Sequence, residues 1–95
     1  MILEVAILNI KKGKTADFER DFQKASPFIQ NNPGYISHKL KRCMEDDHKY
    51  ILLANWESLE DHEEGFRKSE NYGPWKELLH HYYDPFPVVE HYEAL

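Results

Sequence analysis

Tyr50–Arg67 reads YILLANWESLEDHEEGFR, and the fold is decided there. Tyr50 to Trp56 is apolar on both alternating faces, the pattern of a strand covered on two sides. Ser58 then offers an N-cap oxygen, with Asp61 three residues later and acids crowding the first turn. A helix is therefore expected over Leu59–Lys68, with a large indole, Trp56, at the junction. A doubly apolar strand implies a sheet that needs cover on both faces, in a chain too short to supply both.

Working outward, strand one is expected over Ile2–Ile10. Leu3, Val5 and Ile7 lie on one face, and Ile2, Ala6, Leu8 and Ile10 on the other. Lys11–Lys14 is a turn. Helix one begins near Thr15, with an apolar stripe of Phe18, Phe22, Ala25 and Ile29. Pro27 removes a backbone donor and is expected to kink or end it. Asn31–Gly34 is a turn signal. Strand two covers Tyr35–Met44, with Ile36, His38 and Leu40 on one face. Glu45–His48 makes a hairpin loop. Ser69–Gly73 breaks the helical pattern after helix two. Pro74 suits the first position of a third helix, Trp75–Tyr82. A rigid connector, Asp84–Pro87, leads to strand four, Val88–Ala94.

The order β-α-β-β-α(α)-β is the ferredoxin-like split β-α-β. The fold class is α+β: an antiparallel four-stranded sheet with helices on one face, in a single domain over residues 1–95. Exposing the second apolar face would forgo roughly 1.5–3 kcal/mol per large side chain. A homodimer packed sheet to sheet is the expected cover.

Composition narrows the function. The 95 residues carry a net charge of −5, against a nucleic-acid surface, which needs clustered cations. Lys39, Lys41 and Arg42 read as a solvated strand face. The lone Cys43 cannot form an internal disulfide and fits a reducing, cytoplasmic setting. No apolar run approaches the ~20 residues of a membrane span. The first residues pattern as a strand, so no signal peptide is expected.

The turn at Lys11-Lys12-Gly13, Asn32-Pro33-Gly34-Tyr35, Trp56-Glu57-Ser58, Ser69-x-x-Tyr72 and the tail LLHHYYDPFPVVEHYE carry a resemblance along nearly the whole chain. They resemble the antibiotic biosynthesis monooxygenase family of small dimeric α+β barrels. The tail is similar to a subgroup whose members are mostly uncharacterised. The family spans quinone-forming monooxygenases, heme-degrading enzymes, signal-molecule isomerases and proteins of unknown role, so fold does not settle activity. The heme-degrading branch needs an Asn on strand one, a Trp ending strand three, and an iron-ligating His on the next helical segment. Here those positions hold Ala6, Trp56 and, near the last, Trp75 or Lys76. Only the Trp matches, so heme degradation is not expected.

The resemblance implies oxygenation of a small aromatic or polyketide-like molecule without metal, flavin or heme. Trp56 would sit at the cleft between sheet and helices and stack on substrate, or else anchor the core. His62, on the inward face with Leu59 and Phe66, is the candidate catalytic base, or a buried His bonded to a neighbouring carboxylate or carbonyl. His38, between Ile36 and Leu40, invites the same two readings. Tyr72, Trp75, Tyr82 and Tyr83 form an aromatic cluster able to wall a pocket, with Tyr72 as a wall and Trp75 as a lid. Trp56, Tyr72, Trp75, His38 and Phe66 are thus the expected substrate contacts. His80 and His81 are expected to point away from the stripe of Trp75, Leu78, Leu79 and Tyr82. As neighbours on a helix they diverge by about 100° and do not chelate one ion, and no metal site is expected. The alternatives are a non-catalytic dimeric binding protein for a small molecule and a heme-binding protein.

Overall fold

The computed structural model describes residues 1–95. Strands β1 (Ile2–Asn9), β2 (Tyr35–Arg42), β3 (Lys49–Trp56) and β4 (Val89–Glu93) form one antiparallel sheet in the order β2-β3-β1-β4. Helices α1 (Thr15–Gln30) and α2 (Tyr72–Leu79) belong to the layer that covers one face. A π-helical turn, Asp61–Phe66, follows β3, and a 3-10 turn, His80–Tyr82, follows α2. This is the expected ferredoxin-like α+β arrangement.

The stripe of α1 falls as the spacing requires. Phe18, Phe22, Ala25 and Ile29 are all buried, against Ala6, Leu8, Leu52 and Ala54 of the central strands. The helix runs through Pro27 to Gln30 rather than ending there. Past the proline, the Asn31 N–H donates to the Pro27 carbonyl at 3.2 Å. The Asn32 side-chain amide donates to the Phe28 and Ile29 carbonyls at 2.7 and 2.9 Å. The Pro27, Phe28 and Ile29 carbonyls of the last turn are thereby satisfied.

At the deciding junction the Asp61 N–H donates to the Ser58 hydroxyl at 3.2 Å, and that hydroxyl donates to the Asp61 carboxylate at 2.9 Å. The cap forms as read, but the helix it opens widens into the π turn and is shorter than the expected Leu59–Lys68. The change of pitch leaves His62 and Phe66 buried and Leu59 exposed. Gly34 locks the cap from below. Its φ is +83°, and a Cβ there would lie 2.2 Å from the Asp61 carboxyl carbon.

Two further boundaries move. A bulge between Tyr35 and Ser37 turns Ile36 out to solvent, away from His38 and Leu40. The second long helix starts at Tyr72, before Pro74, because proline's missing donor is harmless anywhere in a first turn. No helix is long and apolar enough to cross a membrane. On the uncovered sheet face Leu3, Val5, Ile51 and Leu53 remain only half-buried, and Ile7 is exposed.

Candidate active site

A cavity of about 400 Å³ opens between the sheet, the π turn, α2 and the connector to β4. Its polar lining is Glu4, His62, Arg67, Tyr72, His80 and Tyr83. Phe66, Trp75, Leu8, Leu52, Phe86 and Val89 form apolar walls. That size and mix suit a small, largely apolar ligand oriented by a few polar groups.

Glu4 is the unexpected member. Its β1 register places it beside Ala54 on one side and His91 of β4 on the other, facing the helices. It is 5% exposed. Burial pushes its carboxyl above the usual range, while the Trp56 indole and the Arg67 charge pull it back. The Trp56 Nε1–H donates to Glu4 Oε1 at 3.0 Å. His62 Nε2 lies 3.3 Å from the same oxygen. His62 Nδ1 is 2.8 Å from His91 Nε2.

His62 is therefore both buried and paired with a carboxylate. Burial, then the nearby Arg67 and His91, hold its pKa down to about 3, so the ring is neutral near pH 7. Phe66 stacks on Trp56, with centroids 5.8 Å apart, and packs edge-on to Tyr72 and Trp75. Trp75 is itself wedged between Phe22 and Phe66, a buried wall and not a lid.

Of the residues singled out from the sequence, His62, Phe66, Tyr72 and Trp75 meet at the cavity, together with Tyr83. Trp56 and His38 do not line it. Trp56 is fully buried behind Phe66 and His62, because its indole turns inward to Glu4. His38 faces α1: Nδ1 is 2.6 Å from the Tyr35 hydroxyl and Nε2 is 3.5 Å from Ser26 Oγ. Tyr82 also leaves the cluster, donating to the Asp21 carboxylate, which with burial raises its pKa to about 12. His80 does the reverse. At the end of α2 it lies on the cavity wall, between Tyr72 and Phe86, while His81 stays exposed.

Glu4, Arg67 and His91 escaped the sequence reading. One signal was present for Glu4: it occupies the inward register of β1, between Ile2 and Ala6, where every neighbour on that face is apolar. His91 gives no such signal until β4 is paired with β1.

A family model described as "Antibiotic biosynthesis monooxygenase" matches residues 1–78. An uncharacterised protein of Bacillus subtilis, YczJ, is 54% identical over 93 residues, covering 98% of each chain. A protein from Bordetella bronchiseptica described as a "Putative antibiotic biosynthesis monooxygenase" superposes with a TM-score of 0.93 at 29% identity, covering 99% of this chain and 96% of that one. SnoaB, a cofactor-independent oxygenase from Streptomyces nogalater, shares the fold with a TM-score of 0.78 at 22% identity, covering 99% of this chain and 92% of that one.

Proposed function

Because the chain belongs to the antibiotic biosynthesis monooxygenase family, we propose that it oxygenates a small, electron-rich aromatic molecule in this cavity without metal, flavin or heme. The observation that carries the reading is a buried carboxylate, Glu4, at the polar end of an aromatic-walled pocket. A phenol that loses its proton becomes electron-rich enough to reduce oxygen directly. The protein then needs a base, an orienting wall and a dry site. In the overall step a ring methylene and O2 give a carbonyl and water. The organic carbon supplies all the electrons, and the protons return on the water.

Phe66, Tyr72 and Trp75 hold the ring, and the Glu4–His62 pair handles the proton. Held neutral with a pKa of about 3, His62 alone is a weak base, so its part is exercised through Glu4. SnoaB, described as cofactor-independent, supports chemistry of this kind on this fold. Heme fits less well, since the two His62 nitrogens already face Glu4 and His91. The half-buried apolar sheet face around Leu3, Val5, Ile51 and Leu53 supports a homodimer packed sheet to sheet. Lone Cys43 is in keeping with a cytoplasmic location.

The test is oxygen uptake with 1,8-dihydroxyanthrone as probe, in the presence of a chelator and with no added cofactor. The expected result is one O2 consumed per carbonyl formed, saturable in probe. A probe that binds and leaves unchanged would make the protein a small-molecule binding module instead.

A further inference from the structure

The arrangement around Glu4 continues beyond the cavity. Glu4 and His91 are directly paired across β1 and β4, so both side chains rise from the same sheet face. The π turn lowers His62 between them, and wide turns of this kind recur at functional sites. The sequence of contacts is Glu4 Oε1, 3.3 Å to His62 Nε2, then from Nδ1 2.8 Å to His91 Nε2. His91 Nδ1 stands 3.9 Å from Glu63 Oε1, where the side chains are 18% and 43% exposed. The buried end of this row is the cavity and the far end is water.

Glu4 Oε1 already takes the indole hydrogen of Trp56. Oε2 has no protein partner in the hydrogen-bond network, yet no fully buried side-chain oxygen or nitrogen is left unpaired. Oε2 is therefore the oxygen open to the cavity.

We propose that Glu4 is the catalytic proton acceptor of the cavity, and that His62 and His91 are positioning residues that pass its proton to solvent beside Glu63. This deepens the proposed function, on which the catalytic part rests; the proton path is testable without any substrate. The transfer balances as a three-step shift. Rotation of the Glu4 carboxyl group carries the proton taken at the cavity side to the side facing His62; Glu4 then gives it to His62 Nε2, the hydrogen on His62 Nδ1 passes to His91 Nε2, and the hydrogen on His91 Nδ1 passes to water. Each ring begins and ends neutral, with the opposite nitrogen protonated. No imidazolium persists beside the Arg67 guanidinium, which suits a ring that burial and that charge keep unprotonated. The other titratable groups facing the site are His80 at the end of α2, Tyr72 at its start, and Tyr83 beyond it. Burial holds His80 neutral and keeps the Tyr83 hydroxyl protonated.

Nitrogen spectra of the histidine rings and carboxyl-carbon spectra of the glutamates, recorded on the ligand-free protein, read the path directly. In the wild type, Glu4 and the His62 ring should shift with one common midpoint while the His62 ring stays neutral. His91→Gln should leave Glu4 titrating but slow its proton exchange with water about a hundredfold, the low end of what a placed proton carrier contributes. His48→Gln, on the loop between β2 and β3, should change nothing. If His91→Gln does not fold, His62→Gln must show the same slowing. An unchanged exchange rate, or a His62 that titrates alone as a cation, overturns the relay. With 1,8-dihydroxyanthrone, Glu4→Gln should abolish oxygen uptake, and His91→Gln should lower kcat at unchanged KM. A wild type that takes up no oxygen refutes the proposed function, and the spectra still decide the relay.

Discussion

The neutral His62 makes the protein acid-sensitive in a definite window. In the unfolded chain the ring has its ordinary pKa of 6.5, and in the fold it is held down to about 3. Between those values the unfolded state binds a proton that the folded state refuses, so stability falls as pH falls. Each pH unit below 6.5 costs about 1.4 kcal/mol, for a loss of about 2 kcal/mol by pH 5. Glu4 acts in the opposite direction. Its raised carboxyl binds a proton more tightly when folded, so it gains stability as pH falls through its folded pKa toward the ordinary range. The two effects overlap, and the wild-type curve alone would mix them. His62→Gln keeps Glu4 and a side-chain amide beside it, so the difference between variant and wild type isolates the ring. Urea unfolding followed by Trp fluorescence at pH 7.5, 6 and 5 should show the wild type losing about 2 kcal/mol more than His62→Gln. Equal losses would mean that folded His62 carries a proton as an ion pair with Glu4. That result would refute the relay through neutral rings as well.

Three other substitutions probe the supports of the site. Gly34→Ala places a methyl group against the Asp61 carboxyl at a left-handed backbone position; it should cost at least about 1–2 kcal/mol and lower Tm in a thermal melt. Trp56→Phe removes the indole donor to Glu4; it should cost about 1–3 kcal/mol and move the acid limb of the oxygen-uptake profile to higher pH, since that hydrogen bond, more than the Arg67 charge, lowers the Glu4 carboxyl. Leu53→Lys puts a charge at the centre of the half-buried sheet face, next to Val5; light scattering should show monomer where the wild type is a dimer, and a wild type that is already monomeric would remove the sheet-to-sheet reading.

The fold was legible because its signals are local or periodic. The α1 stripe, the alternation of β1 and β3 and the Ser58–Asp61 cap each depend on residues within a turn or two of one another. What the sequence hid depends on pairing between distant elements. Ile36 shares a face with His38 by simple alternation, and only a bulge opposite Asn55 and Trp56 moves it out. His80 points away from the Trp75 stripe by helical angle, and only the connector that brings Phe86 against it makes that side a cavity wall. Trp56, at a strand end, offers two readings by sequence, a substrate wall or a core anchor. Its polar edge decides for the core anchor, since a buried indole N–H seeks an acceptor, and Glu4 is the acceptor within reach. Of the site itself, His62, Phe66, Tyr72 and Trp75 were found by facing, while His91 required the register of β4 against β1.

Glu4 is the residue whose presence most needs a functional explanation. An apolar side chain at its register would pack with Ala6 and Leu8 and avoid desolvating a carboxylate. Replacing buried charged pairs by apolar residues is often neutral or stabilising, so stability alone gives little reason for a glutamate here. A purely structural acid would have both oxygens tied into the protein. Here one oxygen holds the Trp56 indole and faces His62, while the other is left to the cavity. The surrounding groups also push the acid and the imidazole in opposite directions: the carboxyl is raised and the ring lowered. Those shifts reduce the tendency to lock into a static ion pair and narrow the gap between the two protonation states, which is the condition for moving a proton and not for storing one. The burial of Glu4 is thus best understood as the cost of a base set in the wall of the cavity, with one oxygen held by the protein and the other free to meet a ligand.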